Sequence, residues 1–221
     1  MKVENLLKQN KVFQFKDLDN LDNIKELQLC INSYNKPMYH FIRLSSRKKE
    51  KQKKDIQDIF GINNYEYKEY YQTSNITLLN LKNDILFHKP TKHTIIFILE
   101  KLRCAISFDY KKYIGVLYDR YTSKINDSVI IQGFLGRLTG YNYNGESICF
   151  TNIDSIEKYQ ELLKTNFSKD IIWNSNTTKI VKNKTESKNT FYNISNNIQK
   201  EELKIKFFKT EIEGREFIKT K

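Results

Sequence analysis

The segment Asp127-Ser-Val-Ile-Ile-Gln-Gly-Phe-Leu-Gly-Arg-Leu-Thr-Gly-Tyr141 holds the residues best suited to chemistry. An apolar run, Val129, Ile130 and Ile131, leads into Gln132, Gly133, Gly136 and Arg137. A planar, permanently charged guanidinium offsets the negative charge that builds on a transferring phosphoryl group. A glycine beside it leaves room for a nucleotide to approach. A second candidate surface is cationic: Arg47, Lys48, Lys49, Lys51, Lys53 and Lys54 crowd one short stretch. Such a run would meet backbone phosphate with strong salt dependence and little sequence preference, and it equally suits a solvated helix face. Tyr65, Tyr67, Tyr70 and Tyr71 could stack on bases, although at strand spacing tyrosines also serve as packing residues.

Other chemistries have less to work with. Cys30, Cys104 and Cys149 are far apart and form no Cys-x-x-Cys, which argues against a disulfide framework or a zinc ribbon and for a reducing interior. His40, His88 and His93 lack metal-ligand spacing; His88 and His93 flank Pro90 and read as loop residues. Asp109, Asp119 and Asp154 fall near strand ends, where a nuclease would want carboxylates, but in no recognisable pattern. No Gly-x-Ser-x-Gly supports a serine nucleophile.

The elements that must position these residues alternate. Residues 1–35 read as a helical lead-in, with Leu18, Leu21, Ile24, Leu27 and Leu29 at roughly helical spacing and Asp19 or Asp22 as its cap. After Pro37, Met38 to Leu44 reads as a strand, Ser45 and Ser46 as a cap, Arg47 to Phe60 as a helix, and Gly61 as its stop. Asn64 to Gln72 suits a strand and Thr77 to Phe87 a helix. Thr94 to Leu99 and Tyr113 to Tyr118 are apolar runs of the kind buried on both faces of a parallel sheet. Ser147 to Thr151 reads as a further strand and Asn152 to Thr165 as an amphipathic helix. The expected architecture is α/β: an open, mostly parallel sheet with helices on both faces, spanning residues 36–165. Residues 166–190 read as a polar linker rich in Asn, Ser, Thr and Lys, and residues 191–221 as a small tail element.

The Gln132 to Arg137 segment resembles the last conserved motif of superfamily 2 helicases, in which a Gln or His precedes a Gly-Arg pair. The order of elements over residues 36–165 resembles that family's second RecA-like domain, and Thr94 to Phe108 is similar to its penultimate motif. The resemblance implies that Arg137 acts as an arginine finger at the rim of an open cleft, reaching ATP on a first domain, with Gln132 orienting the nucleotide. It implies Gly133 and Gly136 beside the nucleotide, and Lys101 and Arg103 in the cleft, with Ala105 as the small residue. Two departures stand out. Gln132 lies four residues before Gly136, where the family has three, and Gly140 occupies the place of a second arginine.

No Gly-x4-Gly-Lys-Ser/Thr and no Asp-Glu pair of the magnesium-binding type occurs. ATP and Mg2+ are therefore expected only jointly with a first domain on another chain, and negligible ATPase activity from this chain alone. The alternative is a non-catalytic basic nucleic-acid-binding or scaffolding module derived from a helicase. The net charge of +12 over 221 residues favours a polyanionic partner, DNA or RNA. No stretch has a signal-peptide core or the length to span a bilayer, so no membrane partner and an intracellular setting are expected.

Overall fold

Thr94 to Leu99 is buried along almost its whole length because neighbouring strands flank it on both sides and helices cover both of its faces. The structure, a computed structural model, describes residues 3–71, 76–99, 108, 110–140, 142–167, 170–181 and 184–189. Its main sheet has six strands: β1 (Val12–Gln14), β2 (Tyr39–Arg43), β3 (Glu66–Tyr71), β4 (Thr94–Leu99), β5 (Ile114–Tyr118) and β6 (Ile148–Thr151). They run in the order β1-β6-β5-β2-β4-β3, and every pairing is parallel.

Side chains alternate across a strand, and successive residues here enter two different cores. Ile42, Ile95, Phe97, Val116 and Tyr118 join one cluster with Ile24, Leu27 and Ile31 of α2 (Leu21–Asn32) and Ile56 and Phe60 of α3 (Lys49–Phe60). Phe41, Ile96, Ile98 and Leu117 join the other, with Leu6 of α1 (Val3–Lys8) and residues from the helices of the opposite layer. Those helices are α4 (Leu78–Asn80), which continues into a π turn at Leu81–Leu86, and then α5 (Asp127–Gln132), α6 (Phe134–Leu138) and α7 (Ile153–Lys164). The fold is an open α/β sheet with helices on both faces.

Residues 1–35 are more than a lead-in. Val12–Gln14 adds an edge strand in register with Cys149–Thr151, and one compact unit runs from residue 1 to residue 175. Asn20, and neither Asp19 nor Asp22, caps α2 by accepting from the Asp22 N–H. Asp19 instead accepts from Lys48 and Gln52 at the start of α3. Ser45 and Ser46 do not cap α3: its first flanking residue is Lys48, and Gln52 Oε1 accepts from the Ser45 N–H at 3.0 Å. Gly61 does end α3, at φ +84°, a conformation that favours glycine.

The second unit begins at Asn176. It contains an antiparallel hairpin, β7 (Asn176–Val181) with β8 (Lys184–Asn189), within the stretch read as a linker. The tail at residues 191–221 lies outside the described residues.

Candidate functional site

In open parallel α/β sheets, ligands bind outside the carboxyl ends of the strands. At that edge, β2 ends on Arg43, β5 leads into Asp119, and β6 ends on Thr151. Asp119 is 6% exposed. Its carboxylate accepts from the Thr151 hydroxyl at 2.9 Å and lies 3.4 Å from Arg43 Nε. Burial pushes the Asp119 carboxyl above its usual range, opposed by the charge of Arg43, the Thr151 hydroxyl and the charge of Arg137. The Arg43 guanidinium also sits 4.5 Å from the centre of the Phe134 ring, an arrangement favourable to a cation over an aromatic face. Arg43, Asp119 and Phe134 thus join the ends of β2 and β5 to the first residue of α6. Sequence reasoning missed Arg43, whose one signal was its place as a lone charge closing an apolar strand.

The Gln132–Arg137 segment comes from the break between α5 and α6 at Gly133, whose backbone (φ −73°, ψ −134°) leaves the helical region. Carbonyls at a helix end lose their helical donors. Arg137 supplies replacements: its Nη1 donates to the Gln132 carbonyl at 3.1 Å and to the Gly133 carbonyl at 2.5 Å. Arg137 is 4% exposed. It does not stand at the rim of a cleft, as the sequence led one to expect, because the helix break turns it inward onto its own backbone and into the field of Asp119. Gln132, next to it in the same segment, is exposed.

The two glycines have a local packing reason. A Cβ at Gly133 would lie 2.5 Å from the Val129 carbonyl oxygen, and one at Gly136 would lie 2.7 Å from that of Ile131. Both positions therefore allow the tight turn between two short helices. Lys101 and Arg103 lie outside the described residues, as does Ala105.

The cationic stretch is largely matched by acids. Lys48 pairs with Asp19 and Lys53 with Glu69. Lys51 pairs with Asp55 at 2.8 Å, and Lys49 lies 3.4 Å from Glu50 and 5.4 Å from the centre of the Tyr71 ring. Arg47 and Lys54 are exposed and have no such ion pair among the described residues. Tyr65, Tyr70 and Tyr71 are buried, and Tyr67 stacks on Phe97 with ring centres 6.0 Å apart. These tyrosines pack the core and its edge.

Among the described residues, no group of three or more His, Cys, Asp or Glu side chains is arranged to hold a metal ion. No described helix is long and apolar enough to cross a membrane.

No known protein-family profile matches the sequence. The chain is similar to an uncharacterized protein of Acanthamoeba polyphaga mimivirus, 27% identical over 186 residues, which cover 82% of this chain and 45% of that protein. The chain therefore spans less than half the length of this relative.

Proposed function

We propose that this chain is the second RecA-like half of a superfamily 2 helicase-type motor, working with an ATP-binding half on another polypeptide. The observation that carries the reading is the place of the Gln132–Arg137 segment. It follows β5 in an all-parallel sheet and packs, through Phe134, against Arg43 at the carboxyl edge where such sheets take ligands. The long unmatched part of the mimivirus relative, more than half of it, is room for a further domain in that protein. In the motor, Arg137 would rotate outward to meet the nucleotide phosphates as the halves close. Losing such a finger costs on the order of a thousandfold in rate.

A second reading, a non-catalytic module descended from such a domain, is favoured by the 4% exposure of Arg137 and by Gly140 at the place of the second arginine. Purification of the tagged chain from its native source, followed by ATPase assays, separates the two. The first reading expects a co-purifying polypeptide with a Gly-x4-Gly-Lys-Ser/Thr loop, turnover stimulated by single-stranded nucleic acid, and turnover lost in Arg137→Lys with oligonucleotide affinity kept. Equal turnover in the variant leaves Arg137 a structural role. Robust metal-dependent turnover by the lone chain overturns both readings.

A further inference from the structure

At the amino end of the sheet, opposite the candidate site, β2 and β5 do not pair evenly. Tyr39 faces Ile114 but Phe41 faces Leu117, so the single residue His40 opposes both Gly115 and Val116. Such a bulge takes a backbone group out of the ladder. The His40 ring fills the gap: its Nδ1 accepts from the Val116 N–H at 3.1 Å. Gly115 makes room for the ring, since a Cβ there would lie 2.6 Å from His40 Cε1.

Because Nδ1 accepts, the proton of neutral His40 is on Nε2. Nε2 lies 3.0 Å from Nδ1 of His93, the residue before β4. His93 Nδ1 is therefore the acceptor, which leaves the proton of neutral His93 on its Nε2. The Met38 N–H also points at His93 Nδ1, at 3.4 Å. The result is a chain of hydrogen bonds in one direction, from the Val116 N–H through His40 to His93 Nδ1. His40 is fully buried, whereas His93 is half-buried.

We propose that the His40–His93 pair is a proton-operated latch on the β2–β5 bulge, locked when both rings are neutral and released when a proton enters at His93. A proton on His93 Nδ1 turns that nitrogen from acceptor to donor. It then faces the Nε2–H of His40, which can answer only by moving its own proton to Nδ1. That places two N–H groups head to head, at His40 Nδ1 and Val116. No covalent step is involved and the proton comes from solvent.

The surrounding titratable groups come from every neighbouring element. Tyr34, after α2, has its ring 5.6 Å from His40, and Tyr65, before β3, has its ring 6.3 Å from His93. Both phenols have pKa values raised by burial and stay neutral as the histidines titrate. Tyr39 on β2 is likewise raised by burial, with Glu66 of β3 adding to the effect. Glu66 accepts from the Thr94 hydroxyl at 3.4 Å. Glu146, from the turn before β6, accepts through its carbonyl from the Tyr34 hydroxyl and pairs with Lys36 at 2.6 Å.

Burial, and then the neighbouring His93, hold His40 well below the ordinary value of 6.5, and burial holds His93 below it as well. The unfolded chain takes up these protons near pH 6.5. Stability is therefore full above that pH and falls as pH drops through 6.5 toward the folded values. The strands that the latch joins carry Arg43 and Asp119 at their far ends.

The test is nitrogen NMR of the imidazoles and amide exchange of Val116 in the whole chain, from pH 7.5 to 5. The expected result is an Nε2–H tautomer of His40 at neutral pH, and loss of Val116 protection in step with His93 protonation. The loss should be about tenfold per unit of depressed pKa. His93→Gln offers an acceptor oxygen that does not titrate here, and should keep Val116 protected in acid. An Nδ1–H tautomer at neutral pH, or Val116 protection unchanged while His93 titrates, overturns the latch, as does an unaltered acid profile in His93→Gln.

Discussion

Arg43 and Asp119 meet across the carboxyl edge of the sheet, Nε to Oδ1 at 3.4 Å, with both side chains largely buried. The pair links two adjacent strands, β2 and β5, whose bonded residues His40 and Val116, toward the other end of the strands, lie 76 residues apart. A buried carboxylate is tolerated when charge and hydrogen bonds offset its desolvation, and removing one partner leaves the other exposed to that cost. Asp119→Ala should therefore destabilise the fold by about 3–5 kcal/mol. Asp119→Asn, which keeps an acceptor for Thr151, should lose less. Urea denaturation of the two variants checks the order; equal stability of Asp119→Ala and the parent would show that the pair is dispensable.

Arg137 is predicted to matter to folding whatever else it does. Arg137→Ala removes the donor to the Gln132 and Gly133 carbonyls and should cost about 2–3 kcal/mol, in line with hydrogen bonds from a charged group. Arg137→Met keeps most of the buried stem and should fall between parent and alanine variant. Thermal unfolding measures this before any assay of turnover is read.

The pattern of ion pairs divides the basic stretch. On the proposed nucleic-acid-binding reading, Arg47 and Lys54 should carry most of the affinity of this stretch for a fluorescent single-stranded oligonucleotide, whereas Lys48, engaged with Asp19, should contribute little. Arg47→Ala with Lys54→Ala should reduce the slope of log affinity against log salt by roughly 0.7 for each phosphate of the single strand that is no longer neutralised. Anisotropy titrations at several salt concentrations give the slope; an equal reduction in Lys48→Ala would reject this division.

Gly115→Ala places a methyl group against the His40 ring, at 2.6 Å before relaxation. The overpacking should cost about 1–3 kcal/mol. It should also weaken Val116 amide protection at neutral pH, where the parent is locked. A variant as stable as the parent would mean that the ring has room to move.

Much of the fold was legible because its strands are short apolar runs bounded by clear punctuation. Thr94–Leu99 and Ile114–Tyr118 fall inside the runs read as buried strands, and α7 lies within the amphipathic stretch from Asn152 to Thr165. β1 was missed because three residues are too few for a period of two to show. Its place in the sheet depends on Cys149–Thr151, more than 130 residues away. The site was legible in part. The Gln-Gly-x-x-Gly-Arg spacing singled out Arg137 and its glycines, but neither the helix break at Gly133 nor the inward direction of the guanidinium.

The sequence by itself determined the alternation of elements, the two-faced burial of the central strands and the residue types gathered near their ends, since these follow from local patterns of apolar and turn-forming residues. Only the tertiary structure decided the direction of Arg137, the pairing of Arg43 with Asp119, the acids that offset the basic helix, and the meeting of His40 with His93. The Arg43–Asp119 and His40–His93 pairs and the matching of Lys48 and Lys53 bring groups together from distant parts of the chain, and the direction of Arg137 is set by a backbone break and by burial. Charge and burial act through distance in space, which no local pattern records.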